Sequence, residues 1–447
     1  MQNASDARRI VIVGASVAGL TTVETLRAEG FTGSVTLIGE EDHMPYGRPP
    51  LSKQVLTGDW SPDRAELSGA AELAALDVRI LRGRRATGLD LRHRSVFVGG
   101  DAVPYDLLVI ATGVIARRME GTNGLAGVHC LRTVDDAMTL RSELASATRV
   151  VVVGAGVLGS EIAAAVRKSG IEVSLVGRTA ELRLGQLGGH LSCRLADLHR
   201  ANGVDLRLGV GVRAVLGAGR ASAVRLSDGS VISTEVIVAA IGSLPATKWL
   251  EDSGLKLADG ILCDADGLAA PDVYAVGDVA RWRDDETGAF TRAEHYLGAI
   301  EEARSVARLI VTGQKSAAVV PFFWSELYGT RIQAYGRFPA DTPLTAIAGD
   351  PNDARFVAES VIDDRTVGVV GWNMPREFRV ARAGMSAAVA VRTGLRASSR
   401  NSSTALRQSS KPSGEADDSG RTVCAESPSV SPPRAMRAGY PDVALRD

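Results

Sequence analysis

The chain has 447 residues, more than a single hydrophobic core normally serves, so we expect several domains. Apolar residues make up 45% of it and charged residues 23%, proportions that are typical of a globular protein. The net charge of −1 gives no sign of a nucleic-acid or membrane-surface partner. No apolar stretch approaches the ~20 residues that a membrane-spanning helix needs.

The cysteines argue against a metal or dithiol centre. Cys130, Cys193, Cys263 and Cys424 form no CxxC pair, which excludes a local dithiol motif and the usual zinc and iron–sulfur spacings. We therefore expect no bound metal. Scattered cysteines in a chain of this length suggest a reducing compartment, and we expect a cytoplasmic protein.

The first predicted elements form one dinucleotide-binding unit. Residues 10–13 are a continuous β-branched run, typical of a buried parallel strand. The glycine-rich turn GASVAG, a helix over about 16–29 and a second strand at 35–38 follow in that order. This arrangement begins a doubly wound sheet, which holds a dinucleotide pyrophosphate at the N-terminus of its helix.

The turn supplies the residues that would contact this dinucleotide. Gly14 and Gly19 keep the turn tight, and Ser16 stands where the middle glycine of the fingerprint is usual, which its small side chain allows. Glu40 follows Gly19 by 21 residues, near the end of the second strand, where an acid can hold a ribose hydroxyl. The adjacent Glu41 is an alternative. Taken alone, the motif could also be an unoccupied glycine-rich turn.

The same unit returns 140 residues later. Residues 150–153 are four valines, and the turn GAGVLG follows them before an alanine-rich helix and another strand. Its glycines Gly154, Gly156 and Gly159 form an intact fingerprint. A repeat at this distance predicts two nucleotide sites in the chain.

The second unit differs from the first where it would hold the ribose of NAD. Beyond its second strand the chain has Gly177 and Arg178 in place of the usual acid. A missing acid removes repulsion against a 2′-phosphate, and an arginine can pair with that phosphate. We therefore predict a modest preference for NADPH over NADH, although Arg178 could also be a solvated side chain beside a turn.

The remaining chain adds strands and a third region. Apolar runs at 107–110, 236–241 and 273–276 are predicted to be buried strands. From Pro321 onward, aromatic residues and alternation indicate a smaller, mainly antiparallel region. The sequence therefore predicts an α/β fold, with two doubly wound dinucleotide-binding domains and a smaller α+β C-terminal domain.

One segment identifies a family. Residues 46–53 read YGRPPLSK, which resembles the RPPLSK signature of ferredoxin reductases from oxygenase systems. That family includes putidaredoxin, rubredoxin and biphenyl-dioxygenase reductases, within the pyridine nucleotide-disulfide oxidoreductase superfamily. Further matches are ATG at 111–113, YAVGDVA at 274–280, PFFWS at 321–325 and GWN at 371–373. The likeness covers roughly residues 8–380, and the order and spacing of its motifs are specific.

The resemblance implies a domain organisation. Residues 1–115 and 246–320 would form a discontinuous FAD-binding domain, with an NAD(P)-binding domain at 116–245 and a C-terminal interface domain at 321–395. Residues 396–447 are rich in Ser and poor in bulky apolar residues, so we predict a disordered tail. Beyond about residue 379 the chain departs from the family pattern, and we expect the family's closing helix to be lost.

The resemblance also implies an activity. Electrons would pass from NAD(P)H, the co-substrate, through FAD to a ferredoxin or rubredoxin. That iron–sulfur protein would in turn serve a haem-thiolate monooxygenase or a ring-hydroxylating dioxygenase. Three alternatives stay open: a flavoprotein resembling apoptosis-inducing factor with a signalling or assembly role, a disulfide or peroxide reductase, and an inactive product.

The resemblance assigns roles to individual residues. Arg48 would neutralise the FAD pyrophosphate, Asp278 would hold the ribityl chain, and Arg132 would lie near the FAD. Lys53 would lie near flavin N5 and pair with Glu161, because a cation there favours the reduced flavin and a carboxylate lowers the cost of burying the cation. The alternative for Lys53 and Glu161 is a pair of exposed surface charges.

Two further features bear on the site. Trp324 would cover the flavin ring from the C-terminal domain, although it could instead be a core tryptophan. Disulfide reductases and NADH oxidases of related fold use a cysteine near the flavin, where residues 41–45 of this chain contain no thiol. The sequence therefore favours electron transfer to an external partner.

Overall fold

Two units, each built on a mainly parallel sheet, span most of the described chain. The structure, a computed structural model, describes residues 8–285, 287–316 and 320–385. The elements of the first part are β1 (Arg9–Val13), α1 (Val17–Ala28), β2 (Ser34–Ile38), α2 (Ala70–Ala75), β3 (Val78–Leu81), β4 (Ala86–Asp90), β5 (Ser95–Val98), β6 (Asp101–Pro104), β7 (Leu107–Ile110) and β8 (Val114–Ala116). Short helical turns at Leu51–Val55 and Pro62–Ala65 interrupt the connection between β2 and α2.

The second unit occupies the middle of the chain. Its elements are β9 (Val128–Cys130), α3 (Val134–Leu144), β10 (Arg149–Val153), α4 (Val157–Lys168), β11 (Glu172–Gly177), α5 (Ser192–Ala201), β12 (Asp205–Leu208), β13 (Val212–Leu216), β14 (Ala223–Leu226), β15 (Val231–Ser233), β16 (Val236–Ala239) and β17 (Ser243–Pro245). A 3₁₀ turn at Gly185–Leu187 precedes α5.

The chain then returns to the first sheet and ends in a separate antiparallel sheet. The elements are β18 (Ile261–Cys263), β19 (Leu268–Ala270), β20 (Val273–Ala275), β21 (Ala280–Arg283), β22 (Phe290–Thr291), α6 (Tyr296–Thr312), β23 (Phe322–Leu327), β24 (Thr330–Gly336), β25 (Leu344–Gly349), β26 (Phe356–Ile362) and β27 (Arg365–Trp372). Further 3₁₀ turns lie at Lys248–Leu250 and Gly277–Val279.

The first sheet has the order β19-β20-β7-β1-β2-β3, and β20, β7, β1, β2 and β3 run parallel. Successive side chains of a strand point to opposite sides, and the side chains on both faces of β1 are buried. Ile10 and Ile12 pack against α1 and α6, whereas Val11 and Val13 pack toward the small β4–β6 sheet. Burial on both faces explains why the strand is a continuous apolar run.

The second sheet repeats this plan in the order β12-β11-β10-β16-β9, with every pairing parallel. Val150 and Val152 of β10 face the cluster that contains α4. Val151 and Val153 face the β13–β15 sheet on the other side. The valine run is therefore a central strand with two buried faces.

The C-terminal sheet has the order β23-β24-β27-β26-β25 and is antiparallel throughout. Phe323, Ile332 and Trp372 from this sheet share one hydrophobic core with Val150 and Val152 of β10 and with Leu51 of the first unit. The three parts of the molecule therefore meet in one core, close to both fingerprints.

The predicted fold class is confirmed, and one detail at its end is wrong. We expected no closing helix, yet residues 375–385 are helical, and the buried Phe378 packs on the outer face of the C-terminal sheet. The predicted domain boundaries stay a prediction. The tail predicted to be disordered, 396–447, lies outside the described residues.

Candidate active site

Close backbone contacts require a glycine at the first position of both fingerprints. Gly14 has φ of 119° and Gly154 has φ of 120°, where side chains are strongly disfavoured. A Cβ at Gly14 would lie 2.1 Å from the carbonyl oxygen of Ala111, and one at Gly154 would lie 2.0 Å from that of Ala240. Each turn therefore lies against the end of a neighbouring strand.

The last glycine of each fingerprint allows the first turn of the helix to pack closely against the glycine-rich turn. A Cβ at Gly19 would lie 1.8 Å from the carbonyl oxygen of Gly14, and one at Gly159 would lie 1.8 Å from that of Gly154. Only glycine fits at these positions. The two turns therefore have the same geometry, residue for residue.

The middle position explains why serine is tolerated in the first unit. Ser16 has φ −113° and ψ −160°, close to the −95° and −168° of Gly156, and both values are open to any residue. A Cβ at Gly156 would meet no atom within 4 Å. Neither residue caps its helix with a side chain, so the first amides of α1 and α4 can bind phosphate oxygens.

One cavity of about 630 Å³ connects the two fingerprints. Residues from all three parts of the molecule line it: Ser16, Arg48, Lys53, Arg132, Gly156, Glu161, Asp278 and Trp324. The cavity therefore brings most of the predicted site residues together. It extends from the first fingerprint to the second, as a site for two adjacent nucleotides requires.

Lys53 and Glu161 form a buried ion pair. The Lys53 Nζ lies 2.7 Å from Glu161 Oε2, and the two side chains are only 11% and 8% exposed. The ammonium also donates to the carbonyl of Pro49 at 3.1 Å and lies 5.3 Å from the centre of the Trp324 ring. The pair is therefore not two exposed surface charges, and Trp324 lines the cavity beside it.

Two serines that sequence reasoning missed complete this pair. Ser52 donates to Glu161 Oε2 at 2.6 Å, and Ser325 donates to Glu161 Oε1 at 2.7 Å. Both serines lie inside the motifs that identified the family, but sequence gives no sign that their hydroxyls converge on one carboxylate. Contacts across 109 and 164 residues appear only in the folded chain.

A second polar group surrounds the turn of Gly277–Val279. Arg132 Nη2 lies 3.4 Å from Asp278 Oδ2, and burial raises the pKa of Asp278 and lowers that of Arg132. The Nε of Arg132 is buried and has no hydrogen-bond partner among the described residues. A buried, unsatisfied guanidinium NH fits a phosphate or hydroxyl of a bound cofactor.

Arg48 is held in place by several oxygens. It donates to the Arg132 carbonyl at 2.6 Å, to Glu41 at 2.9 Å and to the Tyr46 hydroxyl at 3.2 Å. Tyr46 in turn accepts from the backbone NH of Val134 at the start of α3. Arg48 therefore lines the cavity in a fixed orientation.

Glu40 is one of the predicted residues that do not line the cavity. Its side chain is 60% exposed, pairs with Arg85 at 2.9 Å and is absent from the cavity lining. The alternative, Glu41, pairs with Arg48. A contact of Glu40 with a ribose stays a prediction.

Gly177 and Arg178 lie at the carboxyl end of β11, where the sequence predicted the coenzyme preference. Gly177 is buried, and a Cβ there would lie 2.5 Å from the Cβ of Ala155. Gly39 has the same relation to Ala15, at 2.8 Å, so Glu40 of the first unit and Arg178 of the second occupy equivalent positions. Arg178 is exposed, and it does not line the cavity itself.

Glu302 is a further acid that sequence reasoning missed. It accepts the backbone NH of Gly277 at 2.7 Å, and burial raises its pKa to about 8. The sequence did contain a sign that this acid is buried. Glu302 falls three residues after Ala299 and four before Val306, on the buried stripe of α6. The acid therefore supports the turn that carries Asp278.

Other kinds of site find no support in the described part of the chain. No group of three or more His, Cys, Asp or Glu side chains there could hold a metal ion. Cys130 and Cys263 are free thiols, and neither lines the cavity. Among the described helices, none combines the length and apolar character that crossing a membrane requires.

Two known protein families together match nearly the whole described chain. Residues 8–303 match the family described as "Pyridine nucleotide-disulphide oxidoreductase", and residues 322–409 match "Reductase C-terminal". The second match runs beyond residue 380, where we expected the likeness to end.

Individual proteins with similar sequences support the same family. The ferredoxin–NAD(+) reductase subunit of the benzene 1,2-dioxygenase system of Pseudomonas putida is 34% identical over 84% of this chain and 92% of that protein. The ferredoxin reductase component of the chlorobenzene dioxygenase of Cupriavidus sp. (strain PS12) is 36% identical, over 89% and 97% of the two chains.

A solved structure agrees as well. The covalent putidaredoxin reductase–putidaredoxin complex contains a chain that matches with a TM-score of 0.80 at 29% identity, over 85% of this chain and 93% of that chain. The predicted family resemblance is confirmed. The chain belongs to the pyridine nucleotide-disulphide oxidoreductase family.

Proposed function

We propose that this protein is an FAD-dependent NAD(P)H–ferredoxin reductase that supplies electrons to an oxygenase. The observation that carries the proposal is the single cavity in which two dinucleotide fingerprints meet beside a buried lysine–glutamate pair. The benzene and chlorobenzene dioxygenase reductases named above support the choice of activity. When bound, FAD accepts a hydride from the nicotinamide and passes electrons singly to an iron–sulfur protein.

Residues of the first unit, together with Arg132 from the second unit and Asp278 from the turn after β20, would bind and orient the FAD. The amides at the start of α1 would hold the pyrophosphate, with Ser16 at the open middle position of the turn. Arg48 would neutralise that pyrophosphate, because its guanidinium suits phosphate geometry. The unsatisfied Nε of Arg132 and the carboxylate of Asp278 would hold the polar chain between pyrophosphate and ring.

The residues of the second unit would bind the nicotinamide coenzyme. Gly156 leaves the space above the N-terminus of α4 open, so a pyrophosphate can approach the first amides of the helix. Arg178 occupies the position at which the first unit has Glu40, and there it would pair with a 2′-phosphate. We therefore keep the proposal of a modest preference for NADPH.

Lys53 would place a positive charge beside the reacting ring, where it favours the reduced flavin. Glu161 offsets the cost of burying that charge. Trp324, which lines this end of the cavity, would cover the flavin ring and exclude water. None of these groups needs to form a covalent bond. Their arrangement suits hydride and electron transfer more than acid–base chemistry.

The electron acceptor would be a ferredoxin or rubredoxin, which would serve a ring-hydroxylating dioxygenase or a haem-thiolate monooxygenase. A disulfide reductase needs a thiol at the flavin, and no cysteine of the described chain lines the cavity. We place the reaction in the cytoplasm, where nicotinamide coenzymes are reduced.

The test is the reduction of cytochrome c by the purified protein with NADH or NADPH, with and without added ferredoxin. We expect visible flavin absorbance and a rate that rises strongly with a dioxygenase ferredoxin. Lys53→Ala should abolish most of this rate. Lys168→Ala, which removes an exposed lysine from α4, should leave it unchanged.

Two results would contradict the proposal. Protein purified without flavin bands would be an inactive product. Slow turnover with a long-lived charge-transfer complex, unaffected by any ferredoxin, would instead indicate a protein resembling apoptosis-inducing factor.

A further inference from the structure

Glu161 is the point at which side chains from all three parts of the molecule meet. Its Oε2 accepts a hydrogen bond from the Ser52 hydroxyl at 2.6 Å and lies 2.7 Å from the Lys53 ammonium. Both residues lie in the turn Leu51–Val55. Its Oε1 receives Ser325 at 2.7 Å, from β23 of the C-terminal sheet. The two serines are 3% and 0% exposed, so neither hydroxyl can exchange its partner for bulk water.

A buried carboxylate depends on the donors around it, because it has lost the hydrogen bonds that water would give. Hydrogen bonds to a charged acceptor are about twice as strong as those between neutral groups. If the serines were absent, Lys53 alone would compensate Glu161. The ammonium would then neutralise the carboxylate, and less of its positive charge would act on the cavity.

We propose that Ser52 and Ser325 are positioning residues that fix the Glu161 carboxylate and, through it, set the charge that Lys53 presents to the flavin. This inference rests on the proposed function, since it assumes a flavin beside Lys53. Ser325 follows Trp324, whose ring lies beside the same ammonium. The C-terminal sheet therefore holds this ion pair through two neighbouring residues.

The orientation of the two hydroxyl dipoles determines whether removing a serine hydroxyl raises or lowers the flavin potential. Both hydroxyl protons point at the carboxylate and offset its negative charge. Removal of either hydroxyl makes the region around Lys53 more negative, which disfavours the reduced flavin. Ser52→Ala and Ser325→Ala should therefore lower the midpoint potential of the bound FAD and slow its reduction by NAD(P)H.

The experiment combines stopped-flow reduction with a midpoint-potential titration of the FAD-loaded protein. We expect each single variant to be reduced about tenfold more slowly, the effect of one hydrogen bond to a charged group. The same substitutions are then made in a Glu161→Gln background. There they should change the rate by less than about twofold, because the serines act only through the carboxylate.

The chain offers two matched controls. Ser160, beside Glu161 on α4, and Ser360, on β26 of the C-terminal sheet, are both 0% exposed. The hydroxyls of these two serines have no hydrogen-bond partner among the described residues. Ser160→Ala and Ser360→Ala should therefore change neither the rate nor the potential.

Two outcomes overturn the inference while the proposed function stands. One is reduction of Ser325→Ala and Ser52→Ala at the rate and potential of the wild type. The other is an equal slowing in the Glu161→Gln background, which would mean that the serines support only the packing. If the wild type itself takes up FAD but is not reduced by either coenzyme, the proposed function fails as well.

Discussion

At the scale of single residues, the buried pair of Lys53 and Glu161 permits the sharpest prediction. Removal of one partner leaves the other charge buried, which typically costs about 3–5 kcal/mol. Lys53→Ala should lower the flavin potential and slow reduction strongly, since the cation is lost. Glu161→Ala should raise the potential, because Lys53 is then uncompensated. Stopped-flow traces and redox titrations would measure both effects.

The double variant distinguishes a contact from two independent effects. Residues in contact show non-additive substitutions, so Lys53→Ala with Glu161→Ala should be less impaired than the sum of the singles. Strict additivity, or wild-type rates in Lys53→Ala, would show that the pair does not act on the flavin.

Glu302 permits a prediction of pH dependence. Its pKa in the folded protein is about 8, above the ordinary value, so the folded state binds more protons than the unfolded state over this range. The stability that Glu302 contributes is therefore present at low pH and is lost as the pH rises toward 8. Glu302→Gln should stabilise the protein relative to the wild type at pH 8 and much less at pH 5.

Thermal unfolding of both proteins across this pH range would measure the difference. Glu301, one residue earlier on α6, is exposed and paired with Arg304. Glu301→Gln is therefore the matched control and should show no such change with pH. A Glu302→Gln variant that is equally stable relative to the wild type at both pH values would refute the assignment.

At the scale of elements, we predict that the end of β11 sets the preference for NADPH or NADH. Arg178→Gln should reduce kcat/KM for NADPH by about tenfold to a hundredfold while sparing NADH, on the order of 1–3 kcal/mol for a charged hydrogen bond to phosphate. Arg149→Gln is the control, because Arg149 lies at the opposite end of β10 from the fingerprint. A wild type that prefers NADH by tenfold or more would contradict the prediction.

An acid at Gly177, one residue before the position equivalent to Glu40, needs a second change. Gly177→Glu alone would force its Cβ to within 2.5 Å of the Ala155 methyl group. Ala155→Gly removes that methyl group, and the Leu208 methyl group that would lie 3.2 Å from the same Cβ needs only a small shift. We therefore expect the pair Ala155→Gly and Gly177→Glu to shift preference toward NADH without loss of folding. The ratio of kcat/KM for the two coenzymes measures the shift. Ala155→Gly alone serves as the reference.

Sequence predicted the local parts of the site and missed those built by distant contacts. The positions of Gly14 and Gly154 were predictable because a strand, a tight turn and a helix impose their own spacing. The convergence of Ser52 and Ser325 on Glu161 was not, because it depends on how three sheets pack. Whether Glu40 or the adjacent Glu41 would face a bound ribose was not predictable either, because sequence does not fix which of two adjacent acids turns inward.

At the scale of the whole molecule, the C-terminal tail can be tested by deletion. We predict that residues 396–447 are dispensable, because their composition cannot bury enough apolar surface to order them. The C-terminal family match ends at residue 409, so the deletion should be made in two steps, first 410–447 and then 396–447. Flavin content and the rate of reduction should stay unchanged after both.

The two deletions separate two explanations. Loss of FAD only with the longer deletion would show that 396–409 packs on the C-terminal sheet. Loss with the shorter deletion would contradict the prediction for the whole tail.

The first sheet has a consequence for synthesis on the ribosome. Its strands β19 and β20 come from Leu268–Ala275, after the second sheet has been completed by β16, which ends at Ala239. The inner unit can therefore fold while the outer unit still lacks two strands and α6. A chain truncated at residue 245 and released from the ribosome should protect the β10 valines from protease and leave the N-terminal unit open to cleavage.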